Sequence, residues 1–213
     1  MTQSATRRYS GQLPDERDAS RRERLMASAK RLFGTQGFAA TPVDKICSEA
    51  KVSTRNFYEH FTNKEAIFLA VYDEITQRSI DRAGKVLAET EGVSLRERVP
   101  KAFLAYVRPM IEDAEATRIA FVEIVGASER IEAERLAYRE AVIELVSAEG
   151  EAAVARGEVE PRDFRFAALA LTGAANAVIY DWTRRADPEP VEQIEEQLTR
   201  LAVSILVEPP ARI

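Results

Sequence analysis

The sequence predicts an all-α protein, with an N-terminal three-helix head carrying a larger C-terminal helical domain. Apolar residues recur every three or four positions, and a composition of 46% hydrophobic and 31% charged residues suits helices with one buried face. Alternating β-branched runs between closely spaced turns, the mark of a sheet, are missing. Glycines and prolines instead separate stretches of helical length, at Gly37, Gly92, Gly126, Gly157 and Pro188. Charge also changes along the 213 residues. Residues 1–65 hold 12 Lys/Arg against 8 Asp/Glu, net +4, and the rest hold 18 against 27, net −9, giving −5 overall. A basic segment followed by an acidic body favours an anionic partner at one end only.

Residues 1–18 are polar and rich in turn formers, and read as a disordered basic tail. Arg7, Arg8 and Arg17 either trail along a phosphate backbone or stay in solvent. A helix-turn-helix domain is expected over 19–65 and a helical domain over 66–208. Ser20 can cap the first helix, where Leu25, Ala29, Leu32 and Phe33 face inward and Gly37 supplies the left-handed stop. Its basic start, Arg21, Arg22 and Arg24, opposes the helix dipole, which a nearby anion would explain. Thr41 as cap, Pro42 and Asp44 start a second helix with Val43, Ile46, Cys47 and Ala50 on one face. It ends near Lys51, because Ser53 offers a new cap three residues before Asn56. Phe57 and Phe61 then bury one side, leaving Thr54, Arg55, Asn56, Tyr58 and Glu59 outward. Two short helices around a tight turn, the second exposing polar side chains, make a helix-turn-helix. Asn63 caps the following helix, which continues through Ile67, Val71 and Ile75 to about Leu87.

Phe33 to Phe68 resembles the DNA-binding segment of the TetR family of one-component transcriptional regulators. The matching positions are Phe33, Gly37, Phe38, Thr41, Ile46, Ala50, Val52, Ser53, Phe57, Tyr58, Phe61, Lys64 and Glu65. Beyond the first third of the chain the likeness rests on length and helical character. The resemblance implies a homodimer that sets Ser53–His60 of each subunit in successive major grooves of a roughly palindromic double-stranded DNA operator. It implies DNA contacts from Thr41, Lys45, Ser53, Thr54, Arg55, Asn56, Tyr58, His60 and Lys64. Arg55 stands where the family often has a small residue, and arginine can bond guanine bidentately, so it is the best base-reading candidate, followed by Thr54 and Asn56. Tyr58, His60 and Lys64 match phosphate-contacting positions, Lys64 with help from free N–H groups at its helix start. His60 can equally pack against a neighbouring helix. Lys51 departs from the family's glycine, and a positive φ there would strain the chain by about 1 kcal/mol.

In the body, Ser94 and Glu97 read as a capping box for a helix holding Val99, Phe103, Tyr106 and Val107. Either the regular helix starts just before Pro100 or it is locally distorted there, and Pro109 should end or kink it. A short helix is expected over Glu115–Ala127 and a long one over Glu129–Arg156, where Gly150 costs up to ~1 kcal/mol relative to alanine and signals a kink or a close helix contact. Another follows Pro161, with small residues from Ala167 to Ala177 that let a neighbour approach, and Val191 to Ile205 form the last. The resemblance adds that this final pair meets its symmetry mates in a four-helix dimer interface.

An unknown small-molecule effector would lie among the central helices, with Phe103, Tyr106, Met110, Phe121, Tyr138 and Tyr180 as apolar or aromatic wall and Glu123 and Asn176 as polar anchors. No run approaches the ~20 apolar residues of a membrane span, and the N-terminus lacks the apolar core of a signal peptide. A cytoplasmic protein without a membrane partner is the expectation. One Cys and one His exclude an internal disulfide and a Cys- or His-built metal cluster, and no cofactor is expected. Phosphate loops, HExxH and nucleophile elbows are absent, so the chain does not read as an enzyme. The expected function is a ligand-responsive repressor. A helical effector-binding or scaffold protein without specific DNA binding is the alternative, supported by Lys51 and the acidic total.

Overall fold

The computed structural model describes residues 14–208, so most of the expected tail, residues 1–13, lies outside the described residues. Among the described residues there are nine α-helices and one π-helical turn, and no strand. The first, α1 (Pro14–Gln36), starts six residues before Ser20. Proline suits a first helical position, and the earlier start makes Arg21–Arg24 interior residues that no longer oppose the dipole. Arg24 donates instead to the Ala50 carbonyl (3.1 Å), and Arg22 lies over the Phe61 ring.

Helix α2 (Val43–Ala50) has Pro42 at its N-cap and no side-chain cap bond. Thr41 does not cap it. Its fully buried hydroxyl donates to the Gly37 carbonyl (2.8 Å) and so pins the preceding turn. The far end closes with Val52 N–H on Cys47 O (3.0 Å) and Lys51 N–H on Ser48 O (3.3 Å), a Schellman motif. Lys51 takes the left-handed place usually given to glycine, at φ 54°. Ser53 caps α3 (Thr54–His60) through Asn56 N–H, and Asn63 caps α4 (Lys64–Glu89) through Ala66 N–H. The division expected after residue 65 falls inside α4, which at ~1.5 Å per residue is a continuous rod of about 39 Å. Phe68 on α4 packs edge-on against Phe33 and Phe38, with ring centroids 5.1 and 4.9 Å away, clamping α4 to the end of α1.

Helix α5 (Leu95–Ile111) runs through both Pro100 and Pro109 and ends two residues after the second, so Pro109 does not stop it. Each proline removes one intrahelical bond, and burial of Pro109, Met110 and Ile111 against the core holds the helix regardless. The expected Glu115–Ala127 helix is α6 (Ala114–Arg118), which widens into a π turn (Ile119–Glu123) closed by Ile124 N–H on Ile119 O (3.2 Å). Helix α7 (Glu129–Ala155) follows, then α8 (Phe164–Arg184) and α9 (Val191–Leu206). Gly150 marks a close contact. A Cβ there would sit 2.2 Å from a Phe164 ring carbon, so α7 and the start of α8 touch only because the side chain is missing.

Two apolar cores result. One joins the head, α4, the end of α5 and the π turn. The other gathers Leu95, Val99, Ala153, Ala167, Leu171, Ala202 and Leu206 at the far end. Lys30 of α1 pairs with Asp113, whose carboxylate also caps α6 through Glu115 and Ala116 N–H. Among the described residues no helix is long and apolar enough to cross a membrane.

Two outcomes follow from these caps. Lys51→Gly should stabilise the protein by about 1 kcal/mol in urea unfolding, by relieving the left-handed strain. Burial disfavours ionisation of Asp113, but the Lys30 ammonium and the α6 N–H groups outweigh it and hold the carboxyl below its usual 3.8. Its folded pKa is therefore below its unfolded one, so its contribution is complete above pH 3.8 and fades as pH falls through the folded value. Asp113→Asn, which can still cap, should flatten that acid limb at a loss under about 1 kcal/mol. Asp113→Ala should lose a further ~1 kcal/mol with the cap.

Candidate DNA interface and effector cavity

Ser53 and Phe57 set the attitude of α3. The Ser53 hydroxyl oxygen accepts Asn56 N–H (3.2 Å), and Phe57 is fully buried against the head core. The opposite face is open. Arg55 has a 90% exposed side chain whose only ionic neighbour among the described residues is Glu59, 3.5 Å away on the same helix. Tyr58 is exposed beside it, Thr54 leans on Asp44 of α2 (3.3 Å), and Asn56 is half-buried. Lys45, next to Gln36, and Lys51 flank this face in solvent. One surface thus collects Lys45, Lys51, Ser53, Thr54, Arg55, Asn56 and Tyr58.

Three expected DNA residues sit elsewhere. Thr41 is inside the core and offers no surface. His60 has only 8% of its side chain exposed, with Nε2 3.3 Å from Asp18 of α1. Lys64 is half-buried, its ammonium donating to the Phe38 carbonyl (2.8 Å) and lying 4.2 Å from the Phe38 ring centre. Residue type and number cannot distinguish these from exposed positions, because each is drawn inward by a contact with another segment: Thr41 by the Gly37 carbonyl, His60 by Asp18 and Lys64 by the Phe38 carbonyl.

The body holds an apolar cavity between the two cores, about 1130 Å³ including its opening to solvent. Phe103, Tyr106, Met110, Phe121 and Asn176 line it, as the sequence suggested. Tyr138 lines a smaller cavity that shares Tyr106, Met110, Phe121 and Asn176 as a common wall. Its hydroxyl lies 3.3 Å from both the Tyr106 hydroxyl and the Thr76 carbonyl. Burial pushes the Tyr106 phenol up to about 12 and raises Tyr72 and Tyr138 as well, so all three stay neutral at physiological pH. Tyr180 does not belong here: it is exposed on the outer face of α8, accepting from Arg184 (2.7 Å). Arg98 and Glu149 line the cavity and were not singled out in the sequence.

Glu123 is also not a cavity residue. Its carboxylate accepts Phe38 N–H (2.8 Å) from the turn after α1 and Arg118 Nε (2.9 Å), while Arg118 Nη1 donates to the Thr35 carbonyl (2.8 Å). Gly37, at φ +91°, leaves room for it, since a Cβ would lie 2.9 Å from the carboxylate. Phe121 in the cavity wall and Glu123 on the head are two residues apart on one π turn.

Comparison with known proteins accords with this division. The family described as bacterial regulatory proteins, tetR family, matches residues 25–71, and the tetracyclin repressor-like C-terminal domain matches residues 92–206. The HTH-type transcriptional regulator YerO of Bacillus subtilis is 32% identical over 81 residues, 38% of this chain and 28% of its own. The HTH-type transcriptional activator FasR of Mycolicibacterium smegmatis is 28% identical over 101 residues, 47% of this chain and 45% of its own. The chain thus spans less than half the length of these curated relatives. Among solved structures, the transcriptional regulator FadR of Bacillus subtilis in complex with stearoyl-CoA aligns with a TM-score of 0.76 at 16% identity, over 85% of this chain and 97% of that one. At that identity the likeness establishes the fold.

Removing the carboxylate tests the junction between head and body. Glu123→Ala should destabilise by about 1–3 kcal/mol, as the Phe38 N–H and Arg118 lose their acceptor. Hydrogen exchange at the Phe38 amide should quicken in Glu123→Ala and much less in Glu123→Gln, which retains an acceptor oxygen.

Proposed function

The chain belongs to the TetR family of bacterial regulatory proteins, a family of DNA-binding transcription regulators and not of enzymes, and from that premise we propose that it is a ligand-responsive repressor. It binds a palindromic operator as a homodimer and leaves it when a small molecule fills the cavity. The observation that carries this reading is α4, which starts beside the recognition helix at Lys64 and reaches the cavity wall with Ile80, Ala83 and Leu87. A change of cavity shape is thereby a change of head position. The π turn gives a second route, from Phe121 in the wall to Glu123 on the Phe38 amide.

The dimer forms through α8 and α9. Phe166, Leu169 and Tyr180 are large and exposed along one side of α8, interspersed with Gly173 and Ala177, an apolar strip that a second copy would cover. On DNA, Arg55 reads bases from α3 with Thr54 and Asn56 beside it, and Lys45, Lys51 and Tyr58 take phosphates. The effector acts by favouring a head spacing that does not fit successive grooves, since a ligand can shift only an equilibrium to which it binds unequally. Lys51 does not support the scaffold alternative, because both bonds of the turn form around it.

Selection of duplexes from a random pool at two salt concentrations tests the reading. A palindrome with half-sites about one helical turn apart, surviving the higher salt, is expected. Arg55→Ala should relax one base position per half-site by about 1–3 kcal/mol. Consensus-free binding that salt abolishes would instead favour the scaffold alternative.

A further inference from the structure

The larger cavity has a charge-balanced end. Of the residues lining it, only Arg98 and Glu149 are charged, and they pair with each other. Glu149 also accepts from Arg156 (3.0 Å), and Arg156 pairs with Glu158, which takes Leu95 N–H at the start of α5. Two guanidinium groups therefore face two carboxylates, and the cluster is neutral. Arg98 is nonetheless unsatisfied: it is 4% exposed, and its buried Nε has no hydrogen-bond partner among the described residues. The Thr172 hydroxyl is committed to the Ala168 carbonyl (2.7 Å). The other side chains of the wall, apart from Asn176 and the Tyr106 hydroxyl, are hydrocarbon, aromatic or the Met110 thioether.

We propose that the effector is an uncharged lipophile bearing a neutral acceptor oxygen, such as an ester, lactone or ketone carbonyl, which accepts from Arg98 Nε while its apolar body fills the cavity. This rests on the cavity being the effector site. An orphan N–H of a buried guanidinium calls for an acceptor, since leaving it unpaired is unfavourable. An anionic head group would also accept that bond, but it would stand beside Glu149 and leave the cluster with one uncompensated negative charge in an apolar wall. A pure hydrocarbon would fill the space and leave Nε unpaired. The chemistry that meets both constraints is a neutral carbonyl on an apolar frame.

The test is competition against Nile red, a neutral lipophilic dye, on the purified full-length protein at about pH 8, where carboxylic acids are ionised. Methyl decanoate, decanoate and decane share a chain length and differ in head group. The ester should displace the dye about tenfold better than either, the worth of one hydrogen bond to a charged donor. In the charge-neutral pair Arg98→Met with Glu149→Gln, the ester should fall to the level of decane. Arg98→Lys, which retains a cation for Glu149 but loses Nε–H, should also weaken ester preference if the paired substitution fails to fold. Tighter binding of decanoate, equal binding of ester and decane, or an ester preference that survives loss of Arg98 would each overturn the proposal. So would failure of Nile red itself to bind. Ester binding that leaves an operator complex intact would support the ligand class and overturn only release by effector.

Discussion

A half-buried carboxylate needs donors, and Glu123 finds them on both sides of the joint between head and body. Its partners are Phe38 N–H from the turn that follows α1 and the Arg118 guanidinium from its own segment. An alternative arrangement of the head would strand that charge in a protected site, which is expensive. Gly37 allows the approach because it has no Cβ and can adopt a positive φ. The aromatic clamp of Phe33, Phe38 and Phe68 then fixes α4 to the same turn. The pose of the recognition helix depends on this joint, because α3 is seven residues long and has little packing surface of its own.

The cavity has a related origin. Head and upper body share one core and the far helices another, and the space between them is what neither fills. Small residues on α8 contribute walls without filling volume, and Gly150 lets Phe164 of α8 close the far end. Beside α4, the π turn is a second contact between this space and the head. Adding one residue to a helical turn swings Phe121 toward the cavity and Glu123 toward Phe38, so two residues two positions apart report on different halves of the molecule.

Much of this was legible before any coordinates. The caps at Ser53 and Asn63 are local chemistry and occur as hydrogen bonds, whereas the capping box expected at Ser94 and Glu97 makes no cap bond to the backbone. Periodicity located the long helices to within a few residues, except the start of α1, which lies six residues before Ser20. Five of the eight effector candidates, Phe103, Tyr106, Met110, Phe121 and Asn176, line the larger cavity because inward-facing positions on central helices have few other places to go. Tyr138 lines only the smaller one, and Tyr180 and Glu123 line neither. Tyr180 failed because α8 is apolar on both faces, so a sequence pattern cannot say which side is inside. Glu123 and Thr41 failed for the same reason in polar form: a buried polar group is recognised by its partner, and both partners are set by the turn at Gly37–Phe38.

The sequence by itself determined the all-α class, the helix-turn-helix and the Ser53 cap of its second helix, which depend on residues within one or two turns of each other, and the basic-to-acidic division, which is composition alone. Tertiary structure alone decided which polar residues were left outward, where the π turn aimed its side chains, and that Arg98 meets a carboxylate 51 positions along the chain at the end of a cavity. Those outcomes are contacts between helices. They follow from how the helices pack, and no local propensity encodes them.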